Sequence, residues 1–202
     1  MADNFEHHLL PLPERTPNFG EAGMLGERVK QLRAVLALVN ATCDRDLVIS
    51  GCDFRFYRKF AFDDMAAPGA LVSFTSDAKD VFCTDVMAVR RAPIGLGVYT
   101  NAFFDAWITA CEVGGFPDDQ VALNWIIRVL RPQVAMMPPR FWTIGLSADL
   151  ARCPWQPGDV VPEPPADLAI MHGNFALGVP NKLALLEAVR VKVEARNKTA
   201  TP

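Results

Sequence analysis

The stretch LVISGCDFRFYRKF, residues 47–60, changes character abruptly in its middle. Its first four residues form an apolar, β-branched run that is typical of a buried strand. The run breaks at Gly51, and Cys52, Asp53 and an aromatic, cationic segment follow. A carboxylate at the end of a buried strand is either a structural cap on the next turn or a ligand-binding group at the carboxyl edge of the sheet, where open α/β folds bind their substrates. The stretch leaves both interpretations of Asp53 open.

The segments on either side of this stretch alternate between strand-like and helix-like patterns. Apolar residues at helical spacing predict helices, with Thr100 or Asn101 capping the second and Pro117 in the first turn of the third. Short apolar runs between Gly, Pro and Asp clusters predict strands. The predicted helices are 20–41, 100–113, 117–130 and one from Pro180, and the predicted strands are 46–50, 70–76, 81–89, one or two within 133–145, and 167–172.

This order of elements predicts an α/β protein with a mixed sheet. Residues 1–20 are rich in Pro and charge, so we expect an extended lead-in there. Residues 21–197 are predicted to form a single domain, and 198–202 a short tail. The Pro-rich segment 152–166 is interpreted as a loop within the domain rather than a linker.

Composition excludes several classes of protein. The 202 residues carry a net charge of -3, so there is no basic surface to attract nucleic acid or an anionic membrane. The five cysteines include no C-x-x-C pair, which argues against a disulfide framework or a zinc ribbon. Cys52 and Cys83 are interpreted as small apolar strand residues. The N-terminus has no secretory signal pattern and no apolar run approaches the length of a membrane span, so we expect a cytoplasmic protein.

The segment AIMHGNFALGVPNKLALLEAVR, residues 169–190, carries the most chemistry. A buried strand delivers His172 at its carboxyl end, Gly173 and Gly178 loosen the backbone, and Lys182 lies near the start of the next helix. Helix amides and an ammonium group neutralise phosphate charge, and an imidazole can ligate a divalent cation, so this layout suits a diphosphate. A hydrogen-bonded core histidine and a solvated lysine would give the same pattern, and spacing alone does not separate the two interpretations.

Three motifs, in the same order, resemble the nucleotide-diphospho-sugar transferases of the GT-A fold, in particular the α-xylosyl and arabinosyl transferase group. The first is LVISGCDFRF, similar to the apolar strand that runs into a D-x-D in that family. The second is GFPDDQVALNWII, similar to its Asp-Gln followed by Asn. The third is HGNFALGVPNK, similar to its H-x-N, Gly and Lys pattern. The matching residues are Asp53, then Asp119, Gln120 and Asn124, then His172, Asn174, Gly178 and Lys182.

The resemblance implies a Rossmann-like, GT-A-like mixed sheet flanked by helices, with a metal-dependent donor site. It implies that Asp53 and His172 hold Mn²⁺ or Mg²⁺ on a nucleotide-diphosphate sugar and that Lys182 contacts the diphosphate. Gly173, Asn174 and Gly178 would shape the surrounding loop. Asp119 and Gln120 would lie on the sugar side, although acids such as Asp118 and Asp119 also favour a helix N-terminus for structural reasons alone. Transfer would proceed with retention, to a glycan, a protein or a small-molecule acceptor.

The chain departs from the family pattern in two ways. Gly51 occupies the position of the leading Asp of D-x-D, which should weaken donor binding, and Asp85 is a candidate replacement. Only about fifty residues precede Asp53, so we expect a domain shortened at the N-terminus. A catalytically degenerate GT-A-like binding module and a nucleotidyl or phosphate-processing enzyme remain alternatives. The donor-site hypothesis requires that Asp53, His172 and Lys182 lie together.

Overall fold

A computed structural model describes residues 23–42, 45–91, 97–147 and 154–199. The expected lead-in 1–20 and residues 200–202 of the expected tail lie outside the described residues. In chain order the elements are α1 (Met24–Ala41), β1 (Leu47–Ser50), β2 (Phe54–Phe56), α2 (Phe62–Met65), β3 (Val72–Ala78), β4 (Val81–Val89), α3 (Gly97–Val113), α4 (Asp119–Leu130), β5 (Val134–Met136), β6 (Phe141–Thr143), a 3₁₀ turn (Ile144–Leu146), β7 (Ile170–His172) and α5 (Gly178–Thr199).

The chain divides into two compact units. One contains α1, α3 and α4 and lies within Met1–Asp44 and Ala92–Leu130. The other contains all seven described strands with α2 and α5, and lies within Arg45–Arg91 and Arg131–Pro202. Asp53, His172 and Lys182 all belong to the second unit.

The first unit is a cluster of three helices in which α1 packs against α3 and α4. The buried Trp107 of α3 donates its indole N–H to the carbonyl oxygen of Asp119 at 2.9 Å, which ties α3 to the start of α4. Arg33 of α1 forms an ion pair with Glu112 of α3 at 2.6 Å.

Two predicted helix starts in this unit are wrong. Asp118 caps α4, because its Oδ1 accepts a hydrogen bond from the Val121 N–H at 2.7 Å, so Pro117 precedes the cap instead of opening the first turn. Helix α3 already begins at Gly97, and the expected caps Thr100 and Asn101 lie inside it.

The second unit is built from two mixed sheets. The first has the strand order β1-β4-β3-β5, antiparallel except for the β3–β5 pair. The second has the order β2-β7-β6, with β2 antiparallel and β6 parallel to β7. The prediction of a mixed α/β protein is confirmed, but the strands form two sheets where one was expected. The runs expected to be strands all contain strands, whereas β2 was not predicted.

The connection between β1 and β2 crosses from the first sheet to the second. It is held at both ends by main-chain hydrogen bonds: the Gly51 N–H donates to the Asp85 carbonyl at 2.9 Å, and the Gly173 N–H donates to the Asp53 carbonyl at 2.8 Å. Asp53 therefore follows a strand, as expected, but β1 is a half-buried edge strand instead of a buried one, and Asp53 lies where the chain changes sheets.

Helix α5 packs on the second sheet through one apolar face. Its buried residues Leu185 and Val189 share a core with Trp142 of β6 and Met171 of β7. The helix begins at Gly178, two residues before the predicted start at Pro180. Gly178 has a φ of 75°, a left-handed conformation that glycine adopts without strain, so it can make the turn into the helix. Within the described residues, none of the helices combines the length and the apolar character that crossing a bilayer requires.

Candidate functional site

His172 lies at the centre of a polar cluster in the second unit, at the carboxyl end of β7. Its side chain is 1% exposed. Nε2 lies 3.1 Å from Asp53 Oδ1 and 3.5 Å from Asp85 Oδ2. Nδ1 lies 3.9 Å from Cys83 Sγ. One edge of the imidazole ring therefore faces two carboxylates, and the other edge faces a thiol.

Four different parts of the fold position these groups. Cys83 and Asp85 stand two residues apart on β4, where the pairing with β3 is irregular, and their ligand atoms lie within 4.8 Å of each other. His172 comes from the second sheet, and Asp53 from the connection between the sheets. Lys182, near the start of α5, forms an ion pair with the Asp53 oxygen that does not contact His172. The cluster thus joins both sheets and α5.

The charges in this cluster stabilise one another. Burial opposes ionisation of Asp53, but the hydrogen bonds and charges of His172 and Lys182 outweigh it and lower the pKa of the carboxyl well below its usual range. Burial likewise opposes a charge on His172, yet the contacts with Asp53, Cys83 and Asp85 raise its pKa to about 10. In the metal-free protein at neutral pH, His172 is therefore an imidazolium that donates to Asp53. Burial also raises the pKa of the Cys83 thiol.

A second layer of polar groups surrounds the thiol side of His172. Asn174 follows β7 and donates its side-chain N–H to the Asp77 carboxylate of β3. The same amide nitrogen lies 4.0 Å from Cys83 Sγ. The Asn174 side-chain oxygen is buried and has no hydrogen-bond partner among the described residues.

Two glycines leave room for this layer. A Cβ at Gly145 would lie 2.0 Å from the Asp77 carbonyl oxygen and 2.3 Å from the Phe175 ring, so no side chain fits there. The Gly173 N–H donates to the Asp53 carbonyl oxygen. A Cβ at Gly173 would lie 3.3 Å from that same oxygen, which is a close contact.

On the carboxylate side of His172, the ligand atoms of Asp53 and His172 have a spacing that a divalent cation could use. Neighbouring ligands of such an ion, each about 2.1 Å from the metal, lie about 3 Å apart. The 3.1 Å between Asp53 Oδ1 and His172 Nε2 matches that spacing, and the 3.5 Å between Asp85 Oδ2 and His172 Nε2 is close to it. Asp53 and His172 could each supply one ligand to the ion, with water or phosphate oxygens completing its coordination.

The structure brings together the residues predicted on the donor side. Asp53, His172 and Lys182 are in direct contact, as the donor-site hypothesis requires. Gly173, Asn174 and Gly178 lie along the connection from β7 to α5.

Asp119 and Gln120, predicted on the sugar side, belong to the helical unit. Asp119 is 4% exposed and lies 3.5 Å from Arg28 Nε. The Gln120 carbonyl accepts from the Asn124 side chain at 2.8 Å. The sugar-side role of Asp119 and Gln120 stays a prediction.

Sequence reasoning treated Cys83 as an apolar strand residue and gave Asp85 only as a candidate replacement. Cys83 is buried, as that interpretation requires, but its thiol also contacts His172. The signal was present in the sequence: a Cys-x-Asp pair on a predicted strand must share one face. The sequence did not show that this face meets the end of β7.

No protein-family model and no curated protein matches this chain. Its function is therefore inferred from the geometry and chemistry of the cluster around His172.

Proposed function

We propose that this chain is a metal-dependent glycosyltransferase that uses a nucleotide-diphosphate sugar as donor. One observation carries the proposal: Asp53 contacts both His172 and Lys182, which lie 119 and 129 positions further along the chain, within one unit. The combination of carboxylate, imidazole and ammonium groups suits a divalent cation and a diphosphate bound side by side.

The chemistry of glycosyl transfer makes specific demands on such a site. As the bond between the anomeric carbon and the diphosphate breaks, negative charge grows on the leaving phosphate oxygens. A divalent ion, held by Asp53 and His172 with Asp85 beside them, would supply positive charge at that point. The Lys182 ammonium forms an ion pair with Asp53 in this structure. With donor bound, it would bind a phosphate oxygen and add a second positive charge.

The finer assignments rest on the motif resemblance. These are the GT-A-like arrangement, the sugar-side role of Asp119 and Gln120, and transfer with retention to a glycan, protein or small-molecule acceptor. The order of the three motifs supports them, and the donor-side residues of the first and third motifs lie in one cluster. The identity of the donor is best tested by binding before transfer is measured.

Calorimetric titration with UDP and GDP, each with and without Mn²⁺, tests the proposal. We expect metal-dependent binding to the wild-type protein, loss of that binding in Asp53→Ala, and binding about tenfold weaker or worse in Lys182→Ala, which lacks the cation for the diphosphate. Asp63→Asn is the matched control, because Asp63 is an exposed acid of the same unit whose partner is Arg90. The proposal fails if the wild-type protein binds neither nucleotide in the presence of Mn²⁺.

A second candidate function is a donor-binding module that does not transfer sugar. The Gly51 substitution within the D-x-D-like motif favours it, because one of the two expected carboxylates is missing from that position. Metal-dependent UDP binding without release of UDP from any UDP-sugar, in the presence of a panel of acceptors, would support the module. Release of UDP that depends on Asp53 would support the transferase.

A further inference from the structure

The thiol side of His172 offers a soft ligand, Cys83 Sγ, that the donor site does not use. Cys83, Asp85 and His172 each offer one ligand atom within 4.8 Å of the other two. Cys83 and His172 are each about 1% exposed, and Asp85 is 24% exposed in its side chain. We propose that these three residues form a site for a thiophilic divalent cation, Zn²⁺ above all.

The spacing is close to that of a tetrahedral zinc site. Bond lengths of about 2.3 Å to sulfur and about 2.1 Å to nitrogen place those two ligands about 3.6 Å apart. Cys83 Sγ lies 3.9 Å from His172 Nδ1, so this pair needs only a small shift. Asp85 Oδ2 lies 3.5 Å from His172 Nε2, at the other edge of the ring, so the Asp85 side chain must turn toward Cys83 to join the site. Three protein ligands with a water in the fourth position are an ordinary zinc arrangement.

The donor set distinguishes this site from one for Mg²⁺ or Mn²⁺. A thiolate is a soft ligand that favours Zn²⁺ over the hard, oxygen-binding cations, and imidazole and carboxylate complete a typical zinc set. Binding requires no oxidation or reduction. The Cys83 thiol and the His172 imidazolium each release one proton to solvent, and the sulfur and nitrogen lone pairs that become available bind the ion.

Asn174 supplies the outer contacts that such a site needs. Its amide nitrogen lies 4.0 Å from Cys83 Sγ and is held by the Asp77 carboxylate, so it can donate toward a thiolate. Its buried oxygen lacks a partner among the described residues and could accept a hydrogen bond from a metal-bound water. An apolar environment around an inert buried cysteine would not require either group.

This inference goes beyond the proposed transferase, because zinc binding does not depend on sugar transfer. Its consequence for activity does rest on the proposed function. His172 belongs to both cation sites, so occupation of the thiol side by Zn²⁺ should lower Mn²⁺-dependent UDP binding.

Titration of the chelator-treated, full-length protein with Co²⁺ tests the site directly. A cobalt ion bound to thiolate gives a charge-transfer absorption band that oxygen and nitrogen ligands alone do not give. We expect this band in the wild-type protein, its loss on addition of Zn²⁺, and its absence in Cys83→Ser. Asp85→Asn, which changes a partly exposed side chain, should bind Co²⁺ at least about tenfold more weakly.

The controls separate the two cation sites. Cys52→Ser changes an exposed cysteine and should leave the band unchanged. Asp53→Asn should keep the cobalt band and lose Mn²⁺-dependent UDP binding. Cys83→Ser should lose the band and keep Mn²⁺-dependent UDP binding. The inference is overturned if wild-type protein binds no Co²⁺, if Co²⁺ binds without the band, or if the band persists in Cys83→Ser. The first two of these outcomes are measured on the wild-type protein and do not depend on the folding of any variant.

Discussion

Asp53 Oδ1 lies 3.1 Å from His172 Nε2, although 119 positions separate the two residues. The main chain fixes this relationship. Phe54 pairs with His172 in the β2–β7 ladder, and the Gly173 N–H donates to the Asp53 carbonyl at 2.8 Å. A substitution of the Asp53 side chain should therefore change the charge of the site while the backbone around it stays in place.

Asp53→Asn should destabilise the metal-free protein by about 1.5–3 kcal/mol, because the amide cannot offer the charged hydrogen bonds that Asp53 makes to His172 and Lys182. Urea denaturation, with an unchanged dependence on urea concentration, measures the difference. The exposed Asp63→Asn should change the free energy of unfolding by no more than about 0.5 kcal/mol. Equal effects of the two substitutions would show that the Asp53 contacts contribute little.

The stability of the chelator-treated protein should fall as pH rises above 6.5. The pKa of His172 is about 10 in the folded state, compared with 6.5 for an ordinary histidine. Between these values the folded protein holds a proton that the unfolded chain has lost, so the free energy of unfolding decreases by up to about 1.4 kcal/mol per pH unit. The groups facing His172 are Asp53, Cys83 and Asp85, with Lys182 bound to Asp53.

Denaturation series at pH 6.5 and 9.5 measure this loss of stability. Asp53→Asn should show a shallower loss, because without the carboxylate the pKa of His172 moves back toward its ordinary value. If groups other than His172 caused the loss of stability, the wild type and the variant would show the same dependence of the free energy of unfolding on pH.

Gly51→Asp should strengthen Mn²⁺-dependent UDP binding and weaken the metal-free fold. The Cβ it introduces would lie 3.1 Å from Asp53 Oδ1, which brings a second carboxylate beside the first. Two close carboxylates repel each other without a cation and can share one when it is present. Calorimetry and urea denaturation measure the two effects. Gly51→Asn has the same size without the charge, so the same gain in affinity from both substitutions would exclude the electrostatic explanation.

Gly145→Ala should cost at least about 2 kcal/mol of folding stability, because its Cβ would lie 2.0 Å from the Asp77 carbonyl oxygen and the backbone must move. Gly26→Ala is the control. It lies in α1 with no atom within 4 Å of its added Cβ, and it should be neutral or stabilising by up to about 1 kcal/mol. Thermal and urea denaturation of both variants measure the contrast, and a neutral Gly145→Ala would contradict the packing described around Asp77.

Local patterns in the sequence predicted most of the elements. The apolar runs that became β3, β4 and β7 are visible because burial leaves a clear pattern. Strand β1 is visible as a β-branched run, although it is only half-buried. Strand β2 was missed because Phe54–Phe56 contains Arg55, is short and lies at the edge of its sheet. The division into two sheets was also missed, because an apolar run in the sequence does not indicate which other strand it pairs with.

Part of the site was predicted from the sequence and part was missed. Asp53, His172 and Lys182 lie near the ends of elements that can be located in the sequence, and the order of the motifs linked them. Cys83 and Asp85 lie in the interior of a strand, and their spacing does not indicate which element they face until the neighbouring sheet is known. Their place opposite His172 follows from the crossing between β1 and β2, which is a tertiary feature.

That crossing has a consequence for the dynamics of the second unit. Cys83 and Asp85 belong to one sheet, His172 to the other, and Asp53 to the chain that passes between them. A cation bound by these residues would act as a cross-link between the sheets, so the sheets could no longer open independently. Amide hydrogens of β2 and β7 should then exchange with solvent as slowly as those of β4, and removal of the metal should restore separate exchange rates.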